Sequence, residues 1–157
     1  MIEREIKGKT IRFRPKVAGD TAALHHAWAE AVKATHHFLS EADFDAISIE
    51  VLRDYIPSAE LLVAEYGSVV FGFMGMTDLE IDALFIRPDW FGQGIGRAFI
   101  SLAAERGAPL TVEVNEDNPG AVSFYKTVGF EIVARSDTDN QGRPFPLLKL
   151  QEGPNLR

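Results

Sequence analysis

The apolar and polar positions of the chain follow two periods, one typical of strands and one typical of helices. Runs rich in β-branched and aromatic residues predict strands at residues 11–15, 61–65, 69–76, 81–86, 110–114, 130–134 and 146–150. Apolar residues spaced three and four apart predict helices. Their apolar stripes are Leu24, Ala27, Trp28, Ala31 and Val32; Phe44, Ile47, Val51, Leu52 and Tyr55; and Ile95, Ala98, Phe99, Leu102 and Ala103.

Residues typical of helix ends bound these segments. Asp20 is expected to cap the first helix, and Ser40 is expected to open the second with a capping box. The second helix should end before Pro57, because proline disfavours the α conformation of the residue that precedes it. Asn118-Pro119 and Gly129 bracket a further short helix.

The order of the predicted elements favours a mixed fold. Residues 61–65 and 69–76 are joined by the turn Tyr66-Gly67-Ser68, which predicts an antiparallel hairpin. Later strands are separated by helices. An α+β or mixed α/β fold therefore fits better than a doubly wound parallel sheet. The length predicts a single domain over residues 1–157.

Composition narrows the class of protein. The chain is 46% hydrophobic and 25% charged, which is ordinary for a globular domain. No apolar run approaches the ~18 residues of a membrane span, and the polar N-terminus does not resemble a signal peptide, so no membrane partner is expected. The absence of cysteine excludes disulfides and a cysteine nucleophile and favours a cytoplasmic location. The net charge of −7 argues against nucleic-acid binding and suits a cationic substrate.

A strand, a glycine-rich turn and a helix follow one another at residues 81–107. Glycines occupy positions 92, 94 and 96, around the start of the third apolar stripe. Such a turn exposes backbone N–H groups at a helix N-terminus, where the macrodipole also favours negative charge. We therefore expect an anion to bind here. A dinucleotide motif fits poorly because Arg97 stands where the last glycine would be, and no Walker lysine motif occurs.

Two segments resemble the motifs of a known family. Residues 84–96, LFIRPDWFGQGIG, resemble the acetyl-CoA motif of the GNAT family of N-acetyltransferases, and residues 118–130, NPGAVSFYKTVGF, resemble a later motif of that family. The resemblance implies the GNAT fold, a mostly antiparallel sheet that is splayed at its central parallel strands and flanked by helices. It also implies transfer of acetyl from acetyl-CoA to a primary amine by direct attack in a ternary complex.

The resemblance further implies that the glycine turn and the strand before it hold acetyl-CoA. The turn would surround the pyrophosphate, and the strand backbone near Phe85 and Ile86 would pair with the pantetheine amides. One departure is Phe91, where the family usually has Arg or Gln; because backbone N–H groups make most of the contacts, this change should weaken cofactor binding without abolishing it. The implied cofactor-binding residues are Leu84, Phe85, Ile86, Phe91, Gly92, Gln93, Gly94, Ile95, Gly96, Arg97, Asn118 and Tyr125.

Two side chains are candidates for the proton transfers. A primary amine with a pKa near ~10.4 is almost fully protonated at neutral pH, so it needs a base before it can attack a thioester. The resemblance places Glu80 in that role, with Asp82 on the same strand face as the second choice and a water relay as the alternative. An exposed acid at a strand edge, with no role in catalysis, would also explain Glu80. It places Tyr125 as the general acid that protonates the departing thiolate, although an ordinary apolar stripe would also explain this tyrosine.

The resemblance places the pocket for the amine acceptor near the first two helices. The candidate lining residues are Trp28, His36, His37, Phe38, Asp82 and Phe145, and ordinary packing is the alternative for each. The histidine pairs at positions 25–26 and 36–37 lack the spacing of a metal site, so no metal is expected.

The acceptor and the assembly stay open on the sequence alone. A peptide lysine, a protein N-terminus and a small-molecule amine all fit, and the negative charge would also suit an aminoglycoside. Phe91 keeps open a different class, a non-catalytic acyl-CoA-binding module. The chain is expected to be a monomer or a homodimer.

Overall fold

The computed structural model describes residues 1–156, which form one mixed sheet with helices. The strands are β1 Ile2–Ile6, β2 Lys9–Pro15, β3 Leu61–Tyr66, β4 Val69–Thr77, β5 Glu80–Ile86, β6 Thr111–Asn115, β7 Phe130–Ser136 and β8 Leu147–Glu152. The helices are α1 Thr21–Thr35, α2 Glu41–Glu50, α3 Ile56–Ser58, α4 Ile95–Ala104 and α5 Pro119–Val128. Within these residues, no helix combines the length and the apolar character needed to cross a membrane.

The sheet has eight strands in the order β1-β2-β3-β4-β5-β6-β8-β7. The ladders β1–β2, β2–β3, β3–β4, β6–β8 and β7–β8 are antiparallel, and β5–β6 is parallel. An antiparallel sheet with an inserted parallel pair confirms the α+β prediction.

The contacts between residues divide the chain into two compact units. That residues 1–157 form a single domain stays a prediction.

The first unit comprises Met1–Met76 and Ala83–Phe99. The predicted apolar stripe of α1 is buried throughout, which confirms that stripe. Trp28 of α1 shares a hydrophobic cluster with Val63 of β3 and Phe73 of β4. Because apolar surface removed from water is the main favourable term in folding, this cluster holds α1 on the strands.

The second predicted helix runs beyond the expected end before Pro57, so that boundary is wrong. After α2 the chain makes a π-helical turn, Val51–Tyr55, and continues into α3, which contains Pro57. The Nζ atom of Lys16 donates hydrogen bonds to the carbonyls of Ile56 and Ala59 at 2.5 and 2.7 Å. A cation at a helix C-terminus satisfies carbonyls that have no partner within the helix, which explains why the helix can end there.

Strand β1 was not predicted, because its side chains carry almost no apolar signal. Its residues are exposed except for half-buried Ile6, and it is held by backbone pairing to β2 from Ile2 opposite Phe13 to Ile6 opposite Lys9. The connecting turn, Lys7 with φ +49° and Gly8 with φ +81°, has the left-handed conformation typical of tight hairpins. The lysine–glycine turn just before the predicted strand at residues 11–15 is a local signal that could have found it.

Asp20 precedes α1 as predicted, but its side chain does not cap the helix. Its carboxylate instead accepts two hydrogen bonds from Arg14, at 2.8 and 3.0 Å, and one from the N–H of Val17 at 2.9 Å. Arg14 also pairs with Glu65 of β3 at 3.3 Å. Two hydrogen bonds from a guanidinium stabilise a carboxylate more than one hydrogen bond from a helix amide does. The ion pair therefore forms in place of the cap.

The second unit comprises Thr77–Asp82 and the described residues from Ile100 onward. Strand β6 pairs with β8 along its whole length and buries Val112 and Val114. The Oδ1 atom of Asn118 accepts the N–H of Ala121 at 3.1 Å at the start of α5, and Gly129 ends that helix with φ +119°. Both predicted boundaries of this helix are confirmed, as is the cap that Ser40 provides for α2.

Replacing Asp20 with Asn tests the ion pair, because Asn keeps an acceptor for Val17 but loses the charge. We expect a loss of about 2 kcal/mol of unfolding free energy at pH 7, less than the ~3–5 kcal/mol of a fully buried pair because Arg14 retains some contact with solvent. The hydrogen bonds from Arg14 lower the pKa of Asp20. Its stabilisation is therefore present above about pH 4 and is lost as the pH falls below that.

Urea unfolding of both proteins across this pH range measures the effect, and the difference between them should shrink in acid. Asp45→Asn, at an exposed position of α2, is the matched control and should leave the unfolding free energy unchanged at each pH. A D20N protein as stable as the wild type at pH 7 would show that the pair contributes nothing.

Candidate active site

The two edges of β5 differ along its C-terminal half. One edge lies against β4, and the other lies outside the ladder with β6. A Cβ atom placed on Gly72 of β4 would lie 3.0 Å from the carbonyl oxygen of Phe85, so the two strands approach as closely as a glycine allows. The N–H of Arg87 donates to the carbonyl of Phe71 at 2.9 Å. On the β6 side, the ladder consists of Glu80 with Thr111 and Ile81 with Val112 only. The outer backbone groups of residues 83–86 are therefore outside the β5–β6 ladder.

The glycine turn follows this strand directly. A short 3-10 helix, Pro88–Trp90, leads into Gly92 and Gly94, whose φ angles are +72° and +88°. A side chain at either position would be strained, because the left-handed region favours glycine. The N–H of Ala98 donates to the carbonyl of Gly94 at 3.1 Å, the first bond of α4. The amides that precede Ala98 in this turn have no carbonyl partner within the helix.

The turn is accessible to a ligand from solvent. Gly92, Gly94 and Arg97 are exposed, and a Cβ atom on Gly92 would meet nothing within 4 Å. Ile95 is buried, so it can offer only its backbone. Free amides, an open surface and the dipole of α4 together fit an anion such as a pyrophosphate. Phe91 is 45% exposed at the edge of this turn.

A lysine that the sequence did not single out also reaches the turn. The Nζ atom of Lys7, in the β1–β2 turn, donates to the carbonyl of Gly92 at 2.9 Å. The neighbouring Ile6 lies beside Gly94, where a Cβ atom would be 3.5 Å from its Cγ2. Lys7 is 85 residues from Gly92 in the chain, so no local motif links them.

Glu80 lies in the second unit among other carboxylates. Burial raises its pKa, and so do the charges of Glu113 on β6 and of Asp82, while Lys149 on β8 acts in the opposite direction. Glu113 is paired with Lys149 in the β6–β8 ladder, which places that cation beside the acidic group. A carboxylate with a raised pKa is a better proton acceptor than an ordinary one.

Asp82 differs from Glu80 in its surroundings. Its side chain is exposed, and its carboxylate accepts a hydrogen bond from the hydroxyl of Thr77 at 2.6 Å. One of the two carboxylate oxygens of Asp82 is therefore engaged by Thr77.

Tyr125 of α5 is 5% exposed. Its ring makes edge-to-face contacts with Phe124 and Phe130, with centroids 5.1 and 5.3 Å apart. Burial raises the pKa of the phenol above its ordinary value, so the side chain keeps its proton throughout the neutral range. A buried, protonated hydroxyl can donate a hydrogen bond or a proton.

Asn118 at the start of α5 is largely buried. Its Oδ1 atom is used by the helix cap, and the amide nitrogen of the same side chain carries two further donors. The two roles considered for Asn118 therefore use different atoms. The cap is observed, and the contact with the cofactor stays a prediction.

The acceptor candidates in the first unit lie within α1 and in the segment that follows it. Trp28 is 3% exposed and stacks on Phe44 of α2, with centroids 5.4 Å apart, so it is part of the core. His36 lies 5.3 Å from Phe38 between ring centroids, and its Nδ1 atom is 2.8 Å from the hydroxyl of Thr35. Burial, with a smaller contribution from His37, lowers the pKa of His36 to about 4, so this ring is neutral at physiological pH.

The other candidates differ in exposure. His37 is exposed, and Phe145 is half-buried in the loop before β8. In that loop Oδ1 of Asp139 accepts the N–H groups of Gln141 and Arg143, at 2.9 and 2.8 Å, which gives the segment a defined shape. An acceptor-binding role for these residues stays a prediction. Among residues 1–156, no three His, Asp or Glu side chains are arranged to hold a metal ion.

Comparison with known proteins decides the family. Residues 25–149 match the sequence model of the acetyltransferase (GNAT) domain. The chain belongs to the GNAT family. The resemblance on the glycine turn and the α5 segment is thereby confirmed, and so is the prediction of an acetyltransferase.

Individual relatives agree with this assignment. The chain is 46% identical over 125 residues to the peptidyl-lysine N-acetyltransferase YjaB of Salmonella typhimurium, covering 78% of this chain and 85% of that protein. The solution structure of apo YjaB from Escherichia coli has a TM-score of 0.85 at 38% identity, covering 90% of this chain and 97% of that one. The crystal structure of PaiA N-acetyltransferase from Thermoplasma acidophilum, in complex with coenzyme A, has a TM-score of 0.69 at 20% identity over 88% and 97% of the two chains. The predicted GNAT fold is confirmed.

Replacing Glu113 with Gln tests the electrostatic environment of Glu80. The change removes one of the charges that raise the pKa of Glu80 and leaves its burial in place, so the pKa should fall without reaching the ordinary Glu value. An NMR titration of the Glu80 carboxyl carbon measures it. Glu131→Gln, at an exposed position of β7, removes the same charge elsewhere in the unit and should leave the Glu80 pKa unchanged. An equal pKa in wild type and E113Q would show that the neighbouring charge is not felt.

Proposed function

We propose that this protein transfers the acetyl group of acetyl-CoA to the side-chain amine of a lysine in a peptide or protein. The observation that supports this acceptor is the 46% identity to a relative named as a peptidyl-lysine N-acetyltransferase. Direct transfer in a ternary complex, which the GNAT resemblance implies, is part of this proposal, and the chain has no cysteine that could carry the acetyl group. The cytoplasmic location and the monomeric or homodimeric state are part of the same proposal.

The glycine turn and β5 are the residues that would hold acetyl-CoA, which supplies a thioester activated toward amines. The open amides at Gly92–Arg97 fit its pyrophosphate, and the unpaired outer edge of residues 83–86 fits the amides of its pantetheine arm. The N–H groups near Phe85 would stabilise the charge that develops on the thioester oxygen. Leu84 and Ile86 flank them on the same strand.

Glu80 takes the proton from the attacking amine in this proposal. A lysine amine with a pKa near ~10.4 must lose a proton before it attacks, and the raised pKa of Glu80 brings the two groups closer in proton affinity. Asp82 and Glu113 add negative charge on the same strand face, which suits a cationic acceptor. The net charge of −7 also attracts a cationic acceptor, over a longer range.

Tyr125 donates to the departing sulfur. A CoA thiolate has an ordinary pKa near ~8.5, so it leaves more readily when a hydrogen bond or a proton is supplied. The buried phenol retains its proton in the neutral range and meets that need. Its two ring contacts restrict the directions in which the hydroxyl can point.

An acceptor panel tests the activity itself. Release of free CoA from acetyl-CoA is measured with lysine peptides, peptides with only a free N-terminus, polyamines and aminoglycosides. We expect release with lysine peptides, and mass spectrometry should place the acetyl group on the lysine side chain. Tight acetyl-CoA binding with no release on any acceptor would instead indicate a binding module, and release on aminoglycosides alone would replace the proposed acceptor.

Tyr125→Phe tests the proton donor, because it removes one hydroxyl and keeps the ring that packs against Phe124 and Phe130. We expect kcat to fall about 100-fold, the lower end of general acid catalysis, with acetyl-CoA affinity nearly unchanged. Steady-state kinetics and calorimetry measure the two quantities. Tyr66→Phe, at an exposed tyrosine of β3, is the matched control and should leave kcat unchanged. Equal turnover in Y125F and wild type would remove Tyr125 from the mechanism.

A further inference from the structure

The β1–β2 turn brings a lysine to the glycine turn. Lys7 lies outside the span of the family match, which begins at residue 25, so the family motifs assign it no role. We infer that the Lys7 ammonium binds the pyrophosphate of acetyl-CoA and supplies the positive charge that Phe91 does not. This role of Lys7 rests on the proposed binding of acetyl-CoA at the glycine turn.

Lys7 is close enough to the turn to contact a bound phosphate. Its Nζ atom is 2.9 Å from the carbonyl oxygen of Gly92. That carbonyl and the N–H of Gln93 belong to one trans peptide unit and point in opposite directions, so the ammonium lies on the carbonyl side of this unit. Because the Lys7 side chain is long and exposed, a change of rotamer can carry the ammonium from this carbonyl to a phosphate bound at the turn.

The ammonium also has donors left for a ligand. A lysine ammonium has three N–H donors, and one hydrogen bond to Gly92 leaves others for a phosphate oxygen. Lys7 is exposed, so its stem can adjust to an incoming ligand. The carbonyl thus holds the charge at the turn without neutralising it.

The hairpin that carries Lys7 is fixed in place. β1 and β2 pair without a break from Ile2 to Ile6, and β2 buries Ile11 and Phe13 in the core of the first unit. Next to Lys7, Ile6 contacts the position of Gly94, and Lys9 lies 5.8 Å from the ring centroid of Trp90. The hairpin and the segment of the glycine turn therefore meet through Ile6, Lys7 and Lys9.

The other side chains around the turn supply little positive charge that is not already paired. Arg87, at the end of β5, pairs with Asp89 at 2.9 Å, so its charge is already balanced. Phe91 contributes no charge. Arg97 is exposed in the first turn of α4, and Lys7 adds a second cation from a different element. Two cations and a helix N-terminus match the two negative charges of a pyrophosphate better than one cation does.

Lys7→Met tests the assignment through ligand binding alone, so the result does not depend on acetyl transfer. Dissociation constants are measured by NMR titration for CoA, for dephospho-CoA, which lacks the 3′-phosphate, and for pantetheine, which lacks all phosphates. We expect roughly 10- to 100-fold weaker binding of CoA and of dephospho-CoA, the usual loss for a hydrogen bond to a charged group, with pantetheine unchanged. Lys7→Arg should restore most of the affinity, and higher salt should weaken wild-type binding more than that of K7M.

A control variant and the pattern of losses separate the alternatives. Lys33→Met removes a charge beside Phe44, away from the glycine turn, and should leave all three dissociation constants unchanged. Equal losses for pantetheine and CoA in K7M would mean that Lys7 only holds the turn, and would overturn the inference. A loss confined to CoA would move the contact to the 3′-phosphate and overturn the pyrophosphate assignment. Wild-type protein that binds CoA but transfers no acetyl group would defeat the proposed function and leave the role of Lys7 standing.

Discussion

The proposed binding of the pantetheine arm along β5 depends on how few residues of that strand pair with β6. The parallel ladder ends after Ile81, while the opposite edge of the strand stays close to β4 through Gly72. Proteins normally avoid a strand edge whose N–H and C=O groups lie outside a ladder. Such an edge costs free energy when it is buried away from water, and it promotes pairing with other chains when it is exposed. Here the side chains of Ala83 and Phe85 pack in or against the core, so the strand stays extended without a second partner. An unpaired edge held rigid in this way can pair with the amides of an elongated ligand.

In the proposed mechanism, Glu80 and Tyr125 have pKa values shifted in the same direction but would serve opposite purposes. Burial raises the pKa of both Glu80 and Tyr125. For a carboxylate, which is charged at neutral pH, the shift increases proton affinity and improves a base. For a phenol, which is already neutral at that pH, the same shift leaves the hydrogen-bond donor in place and makes it a weaker acid. One physical cause, loss of solvation, thus separates the two roles because the ordinary pKa values of the two groups lie on either side of neutrality.

The sequence predicted the parts of the fold in which side-chain pattern and backbone agree. The stripe of α1, the Ser40 cap and the Asn118 to Gly129 helix carry local signals of that kind, and all are confirmed. It missed β1, whose stability comes from backbone pairing that side chains do not report. It misplaced the end of the second helix, because the carbonyls freed near Pro57 are satisfied by Lys16, 40 residues earlier. Asp20 does not cap its helix for a different reason: Arg14, six residues earlier in the chain, binds the carboxylate instead.

The same limit applies to the glycine turn. Its motif spans a few residues and predicts which backbone amides face a ligand. A charged side chain, however, can come from any element that packs on the turn. Phe91 alone suggests a weakened cofactor site, because it stands where the family usually has Arg or Gln. The hairpin contact changes that conclusion: a lysine 85 residues away donates to the carbonyl of Gly92, next to the position where the charge is missing. Electrostatic attraction depends on distance in space and not on position in the chain, so a substitution within the motif can be compensated by a residue outside it.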